Sequence, residues 1–248
     1  MTLQETTQQE MQGPLPFVQG LEWVKEGFRF FSASPLAWIL CTIIMMALLL
    51  VLSFLPLVSI LVYLVSPVLY GGLMIGCRAI DSGAPLEIRH LFAGFRENTQ
   101  TLATIGGLQL LGMIVVAVVV GGIGFTMIGQ TTPDVAALNV NPAMMIVMLL
   151  GVALTLPIAM AVWFAPALVA LDGIGALAAM KMSFRACLLN LLAFTGYSLV
   201  LLLLMLLVAA TFGIGFVVVI PVVIASVYAS YRDIFRSDDL SESGPIRS

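Results

Sequence analysis

The side chains that could support chemistry are few in this chain, and they are scattered along it. His90 is the single histidine, and no serine, cysteine or pair of carboxylates accompanies it at catalytic spacing. A metal site needs more ligands than one histidine supplies, and the cysteines lack metal-ligand spacing. The sequence therefore predicts that the protein is not an enzyme, with no catalytic residue, no metal, no cofactor and no nucleic-acid partner. We expect three small packing residues in the cysteines Cys41, Cys77 and Cys187.

Two amides, Gln109 and Asn190, are the main polar side chains within the long apolar stretches. We expect no Asp, Glu, Lys, Arg or His at membrane depth, whereas proton relays and ion sites generally need one. Two interpretations of the amides stay open. Either they form hydrogen bonds between helices, or they contact a substrate.

Three arginines follow a phenylalanine in similar tripeptides: Gly27-Phe28-Arg29, Gly94-Phe95-Arg96 and Ser183-Phe184-Arg185. Arginine can anchor a helix at the membrane interface, and its planar guanidinium group also matches phosphate. The pattern thus allows two roles for Arg29, Arg96 and Arg185. One role is anchoring, and the other is contact with an anionic lipid headgroup or with an acidic segment of a partner.

The elements that must position these residues are membrane spans. Hydrophobic residues make up 61% of the chain and charged residues 9%, whereas a soluble domain has about 25% charged residues. No charged residue lies between Arg29 and Arg78 or between Arg185 and Arg232, and Asp134 alone interrupts the stretch from 97 to 172. A spanning helix needs roughly 20 apolar residues, so each stretch is long enough for a helical hairpin. The sequence predicts an all-α bundle of six spans, near 36–54, 57–79, 101–128, 142–166, 188–210 and 213–231.

Six spans place both ends of the sequence on one side of the membrane, together with every lysine and arginine. By the positive-inside rule that side is the cytoplasm, so we expect a multi-pass membrane protein with cytoplasmic N- and C-termini. The predicted organisation is a disordered tail at 1–16, a single transmembrane domain at 17–236, and a second disordered tail at 237–248. The predicted outer loops lie at 54–56, 129–141 and 211–213.

A short amphipathic segment precedes each hairpin, and we expect all three segments to be helices in the plane of the membrane interface. Their apolar residues recur at helical spacing and should face the acyl chains. Pro85 suits the first position of the second helix, and Asp172 could cap the third. The three apolar stripes are Phe17, Leu21, Val24, Phe28 and Phe31; then Ile88, Leu91, Phe92 and Phe95; then Leu177, Met180 and Phe184.

The second span of each hairpin contains a proline, at Pro67, Pro157 and Pro221, and the latter two could kink their spans. Interfacial helix, span and proline-containing span thus recur at about 17–80, 85–171 and 172–235, which predicts rough threefold pseudosymmetry. The alternative is chance recurrence of Phe-Arg. Small residues at one-turn spacing favour close helix packing or the thin wall of a groove: Gly72 and Gly76, Ala117 and Gly121, Ser226 and Ser230.

Several motifs together resemble one family. They are Trp23, Gly27-Phe28, Pro35-x-x-Trp38, Leu91-Phe92-Ala93-Gly94-Phe95-Arg96 and Tyr231-Arg232-Asp233-Ile234-Phe235. Through them the chain, from about 17 to 235, resembles a family of uncharacterised bacterial six-helix inner-membrane proteins that carry locus-tag labels. The resemblance implies the location and the topology, and it implies no activity and no catalytic residue.

Two functions fit these observations. The first is a non-enzymatic accessory or scaffold protein whose partners are the lipid bilayer and either another membrane protein or an anionic lipid. The alternative is a small transporter or lipid-handling protein with a groove between the repeats. The alternative predicts a cavity where the repeats meet.

Overall fold

The computed structural model describes residues 11, 13–54, 60–128, 142–213 and 215–236. These residues form helices and connecting turns, and no strand occurs among them. The helices are α1 Gln19–Ala33, α2 Pro35–Ser53, α3 Ile60–Asp81, α4 Ile88–Leu91, a 3-10 helix Ala93–Phe95, α5 Thr99–Ile128, α6 Pro142–Trp163, α7 Ala165–Asp172, α8 Ala176–Leu189, α9 Leu191–Ala210 and α10 Phe216–Phe235. Six of the described helical segments are long and apolar enough to cross a membrane: α2, α3, α5, α6 with α7, α9 and α10.

This arrangement confirms the all-α fold with six spans. The predicted outer loop at 129–141, the predicted tail at 237–248 and most of the predicted tail at 1–16 lie outside the described residues. Of the predicted outer loop at 54–56 only Phe54 is described, directly after α2, and the predicted loop at 211–213 falls on the turn that follows α9.

The fourth span differs most from its predicted bounds, because it continues to Asp172 through a break at Phe164. A side chain from α8 causes this break. The Ser183 hydroxyl accepts a hydrogen bond from the Phe164 N–H (2.9 Å) and donates one to the Met160 carbonyl (2.6 Å). It thereby replaces the helical bond between these two backbone groups. Helix α6 continues through Pro157, and helix α10 continues through Pro221.

Helix α1 has two apolar faces, one more than its sequence pattern predicted. Its predicted stripe is divided, because Phe17, Leu21 and Phe28 are exposed whereas Val24 and Phe31 are buried. A second face, formed by Gly20, Trp23, Gly27 and Phe30, packs on α9 and α10. The helix therefore belongs to the packed core as well as to the molecular surface.

The predicted starts of the other two interfacial helices are wrong. Pro85 is outside the helix, because the side chain of Glu87 caps α4 together with His90 in a capping box. That helix has one turn, and the 3-10 helix follows it. Asp172 does not cap α8; it ends α7, since Gly173 adopts the left-handed conformation (φ 68°) that terminates a helix. Helix α8 begins at Ala176 and buries Ala179, Ser183 and Ala186, whereas Leu177 of its predicted stripe is exposed.

Each short segment packs on the second span of another hairpin, in cyclic order. Helix α1 packs on α10, α4 and the 3-10 helix pack on α3, and α8 packs on α6. The small residue before each Phe-Arg makes the close approach. A Cβ on Gly27 would lie 2.5 Å from the Val222 carbonyl oxygen, and one on Gly94 would lie 2.1 Å from that of Val68. Val222 and Val68 both follow the proline of their span, so this packing supports three structural copies.

Helix α10 is the most buried span, and its last turns lie at the centre of the fold. The largest fully buried side chains of the described part include Trp23, Trp38, Phe164 and Tyr231. Helices α5 and α6 are mostly exposed by comparison. We call the end of the spans at which Asp81, Asp172 and Arg232 lie the charged end.

Candidate functional site

The charged end holds one aspartate near the end of the second span of each hairpin. A negative charge at a helix C-terminus is opposed by the helix dipole, so each carboxylate needs partners. Each accepts two hydrogen bonds: Asp81 from Arg232 (2.6 Å) and Tyr228 (3.1 Å), Asp172 from Tyr231 (2.6 Å) and Arg236 (3.0 Å), and Asp233 from Trp23 (2.9 Å) and Gln19 (2.8 Å).

These bonds connect all three hairpins through α10. The partners of Asp81 and Asp172 all lie on α10 or directly after it, and Arg232 also pairs with Glu26 of α1 (3.3 Å). Hydrogen bonds and ion pairs thus hold the carboxylates, and the cluster connects the hairpins to one another. This role was not predicted from the sequence, although an aspartate follows each of Pro67, Pro157 and Pro221 by twelve to fifteen residues.

The three arginines predicted to contact anionic headgroups lie apart. Arg29, on α1, pairs with Glu26, and its side chain is 63% exposed. Arg96 and Arg185 are exposed, and neither forms an ion pair with a residue that the structure describes. Because their segments pack on α10, α3 and α6, the arginines occupy three separate positions around the charged end.

His90 has a structural role in α4. Its Nδ1 accepts a hydrogen bond from the backbone N–H of Glu87 at 3.0 Å. Partial burial lowers the pKa of His90, with Arg89 acting in the same direction and Glu87 opposing it. The neutral ring can accept this bond, so His90 works as part of a helix cap.

Asn190, one of the two predicted polar contacts, is fully buried between α8 and α9. Its Nδ2 donates to the Ala186 carbonyl (3.0 Å), and its Oδ1 accepts from the backbone N–H of Leu15 (3.0 Å). Asn190 therefore joins the segment before α1 to the turn between α8 and α9.

Gln109, the other predicted contact, lines a cavity between the hairpins. The cavity has a volume of about 350 Å³ and is lined by α3, α5, α6 with α7, and α10. Its polar groups come from Ser66, Tyr70, Gln109 and Trp163. Residues from all three repeats contribute to it, which matches the predicted groove between repeats.

A second cavity of about 380 Å³ adjoins the first, because Ala159 and Trp163 line both. It lies between α6 and α9, and exposed side chains such as Leu156 and Leu191 form part of its wall. We call the two cavities together the intramembrane cleft. Since its outer part has exposed walls on the face of the spans, the cleft opens toward the surrounding lipid.

The cleft exists because one interface of the cyclic arrangement is not packed. The first span of the second hairpin, α5, packs on α3, and the first span of the first hairpin, α2, packs on α10. The equivalent pair is α9 and α6, and these helices stand apart along the cleft. The gap therefore results from the arrangement of the helices and not from a single small side chain.

No carboxylate, imidazole, amine or guanidinium lines the described walls of the cleft. Its walls are aliphatic and aromatic, with a few hydroxyl, amide and indole groups. Such a site suits an uncharged, largely apolar molecule. Gln109 was predicted from the sequence, whereas Tyr70 and Trp163 were not. Tyr70 lies near the middle of its predicted span, which is a usable signal because Tyr and Trp favour the two membrane interfaces.

Comparison with known proteins adds one relative. The probable inner membrane protein BTH_II0599 of Burkholderia thailandensis is 30% identical over 197 residues, which cover 73% of this chain and 71% of that protein. No protein-family model and no solved structure matches the chain. The shared length and the six apolar helices confirm the resemblance stated from the sequence motifs. The chain belongs to the family of this probable inner membrane protein, and it is an integral, multi-pass protein of the bacterial inner membrane.

Proposed function

We propose that the protein is a non-enzymatic accessory protein of the inner membrane that binds a lipid chain in the intramembrane cleft. The observation that carries this proposal is the unpacked α6–α9 interface, which leaves adjoining cavities of about 350 and 380 Å³ within the spans. Small-molecule sites in proteins usually have volumes of about 300–1,000 Å³.

The energetics of an unfilled cavity favour this function. The side chains on the two sides of the α6–α9 gap lack the partner atoms that a packed helix interface would give them, so they lose dispersion contacts. An acyl or prenyl chain that enters between α6 and α9 would restore the missing dispersion contacts.

The absence of charged side chains from the described walls supports binding without catalysis. General acid–base catalysis requires a group that gains or loses a proton, and the described walls carry none that does so near neutral pH. Walls without charge disfavour the transport of ions. The geometry also gives no direction for the movement of a neutral lipid across the membrane, so binding is the function that it supports best.

The test is to close the cleft at Ala159, one of the two residues that line both cavities. Ala159→Phe places a ring in the passage, and we expect it to reduce the phospholipid that stays bound in native mass spectra recorded from nanodiscs. Ala153→Phe is the matched control, since Ala153 is exposed on the same helix and lines no described cavity. Equal lipid retention by both variants would contradict the proposal.

Contact of Arg29, Arg96 and Arg185 with anionic lipid headgroups remains a second candidate role. It is favoured by the exposure of all three side chains and by the exposed Phe28 and Phe95 beside two of them. A triple Ala variant should lose co-purified anionic lipid and still insert. A control that removes Lys25, Arg89 and Lys181 from the same three segments loses the same charge. Equal loss in both variants would show a general charge effect and reject a specific role.

We also propose that both ends of the sequence face the cytoplasm. The basic residues concentrate at the charged end, and the positive-inside rule places such an end in the cytoplasm. Green fluorescent protein fused after Ser248 should fluoresce, whereas alkaline phosphatase at the same position should be inactive. The reverse result would overturn this orientation.

A further inference from the structure

A third pocket lies at the charged end and shares no described lining residue with the cleft. It has a volume of about 240 Å³ and lies between the last turns of α1 and α3. Its walls are formed by Arg29, Phe30, Ala33, Ile80 and Asp81. Small-molecule sites usually have volumes of about 300–1,000 Å³, so this pocket suits a small polar group whose remaining atoms lie outside it.

Two opposite charges line this pocket without pairing with each other. Arg29 forms its ion pair with Glu26, and Asp81 forms its ion pair with Arg232 at 2.6 Å. The pocket therefore separates a guanidinium group from a carboxylate. Both groups can form further bonds, because a guanidinium has more N–H donors than this one ion pair uses. Each carboxylate oxygen of Asp81 accepts one hydrogen bond from the described residues, from Arg232 or from Tyr228, and the side chain is 28% exposed.

The charges around the pocket balance. Arg29 and Arg232 carry two positive charges, and Glu26 and Asp81 carry two negative charges. A ligand of a single sign meets repulsion here as well as attraction. A ligand with one group of each sign matches the arrangement, with its anion at Arg29 and its cation at Asp81.

The position of the pocket indicates that this ligand is a phospholipid headgroup. Four charged side chains surround the pocket, and charge is costly in hydrocarbon, so the pocket lies at the level of the headgroups. Helix α2 begins two residues after Ala33. Exposed apolar side chains recur along one face of this span: Leu36, Leu40, Ile43 and Leu50. Acyl chains can pack on that face while the headgroup stays in the pocket.

We propose that this pocket binds the headgroup of phosphatidylethanolamine, with the phosphate at Arg29 and the ammonium at Asp81. A primary ammonium donates N–H bonds to a carboxylate, whereas the methylated ammonium of phosphatidylcholine has no N–H group. The pocket is held in shape before binding, because the guanidinium groups of Arg29 and Arg232 lie 5.6 and 5.9 Å from the centre of the Phe30 ring. The inference goes beyond the proposed function, since this site is separate from the cleft.

The experiment uses the full chain, freed of lipid in detergent, with palmitoyl-oleoyl phosphatidylethanolamine, phosphatidylglycerol and phosphatidylcholine at equal concentrations. Native mass spectrometry measures which lipid binds, and the unmodified protein should prefer phosphatidylethanolamine. Asp81→Asn should weaken this binding about three- to tenfold and shift the preference toward phosphatidylglycerol, because the surroundings gain one positive charge. Arg29→Gln should weaken the binding of both phosphatidylethanolamine and phosphatidylglycerol by a similar factor, since both lipids carry the phosphate.

The controls are charged residues that line no described cavity. Asp172→Asn changes the equivalent aspartate of the middle hairpin, which also accepts bonds from a tyrosine and an arginine. Lys25→Gln removes a positive charge from the same helix as Arg29. Both controls should keep the preference for phosphatidylethanolamine. Ala159→Phe, which closes the cleft, should also leave the choice of headgroup unchanged.

Several results would overturn the inference. One is an unmodified protein that prefers phosphatidylglycerol, or that binds phosphatidylcholine as tightly as phosphatidylethanolamine. Another is an Asp81→Asn variant with the same lipid preference as Asp172→Asn. If Asp81→Asn does not fold, Arg29→Gln decides, and equal phosphatidylethanolamine binding by Arg29→Gln and Lys25→Gln rejects the site. Displacement of the lipid by an equal concentration of soluble phosphoethanolamine would replace the lipid with a free zwitterion as the ligand.

Discussion

Substitution of Gly27 by alanine tests the packing that underlies the repeated Gly-Phe-Arg motif. A Cβ at this position would lie 2.5 Å from the carbonyl oxygen of Val222 and 2.9 Å from the backbone nitrogen of Ser226. Both neighbours belong to the backbone of α10, so no side chain can rotate away. Helix α1 would have to move outward by several tenths of an ångström.

The expected magnitude follows from two opposing effects. Overpacking of a close contact typically costs about 1–3 kcal/mol, and alanine in a helix gains roughly 0.5–1 kcal/mol over glycine. The displacement also lengthens the bonds from Trp23 and Gln19 to Asp233, now 2.9 and 2.8 Å. We expect Gly27→Ala to lower the free energy of unfolding by about 1–2 kcal/mol.

Gly121→Ala is the matched control, because a Cβ there has no atom within 4 Å. This variant should gain roughly 0.5–1 kcal/mol from helix propensity alone. Reversible unfolding in mixed detergent micelles, followed by circular dichroism, measures both variants. If Gly27→Ala unfolds at the same detergent ratio as Gly121→Ala, or at a higher one, the proposed contact between α1 and α10 is refuted.

Three further predictions concern single polar groups, and the same unfolding assay measures all of them. Ser183→Ala removes the acceptor of the buried Phe164 N–H, and it should cost about 1–3 kcal/mol; an unchanged midpoint would contradict the hydroxyl bridge in the fourth span. Tyr231→Phe removes a 2.6 Å bond to the Asp172 carboxylate and should cost about 1.5–3 kcal/mol, whereas a neutral outcome would show that the aspartate needs no tyrosine. The pKa of His90 is lowered in the folded state, mainly by burial, so the unfolded chain binds more protons and stability falls as the pH drops from the ordinary histidine pKa through the lowered one. His90→Asn should remove this part of the pH dependence, and an identical pH profile in the variant would exclude His90 as its source.

The positions of the spans could be predicted from the sequence because a charged side chain is costly to place in the hydrocarbon core of the membrane. The uncharged stretch between Arg185 and Arg232 can adopt few arrangements other than two crossings, and it contains α9 and all but the last turn of α10. It was harder to predict which side of each short helix contacts protein and which side contacts lipid. Lipid tails are as apolar as leucine, so an apolar stripe does not show whether it contacts lipid or protein. Phe28 and Phe30 are both apolar, yet Phe28 is exposed and Phe30 is buried.

The site was predicted in part for a related reason. Gln109 is visible as an amide within an apolar span, and the structure places it in the cleft. Tyr70 and Trp163 are aromatic and add to the apolar character of their spans, so composition hides their donors. The cleft itself depends on the distance between α6 and α9, which is a long-range property that no local pattern records.

The position of α1 explains why α9 and α6 stand apart. Gly20 approaches the backbone of Ala193 and Tyr197, and a Cβ there would lie 2.2 Å from the Tyr197 nitrogen. Helix α9 therefore packs on α1, and aromatic rings connect it to the end of α6. The ring centroids of Trp163 lie 5.9 Å from Phe194 and 6.1 Å from Tyr197. Because Phe194 and Tyr197 belong to the first two turns of α9, these contacts close the cleft toward the charged end. Away from these rings, exposed side chains of α6 and α9 line the cleft, so the cleft opens laterally toward the bilayer.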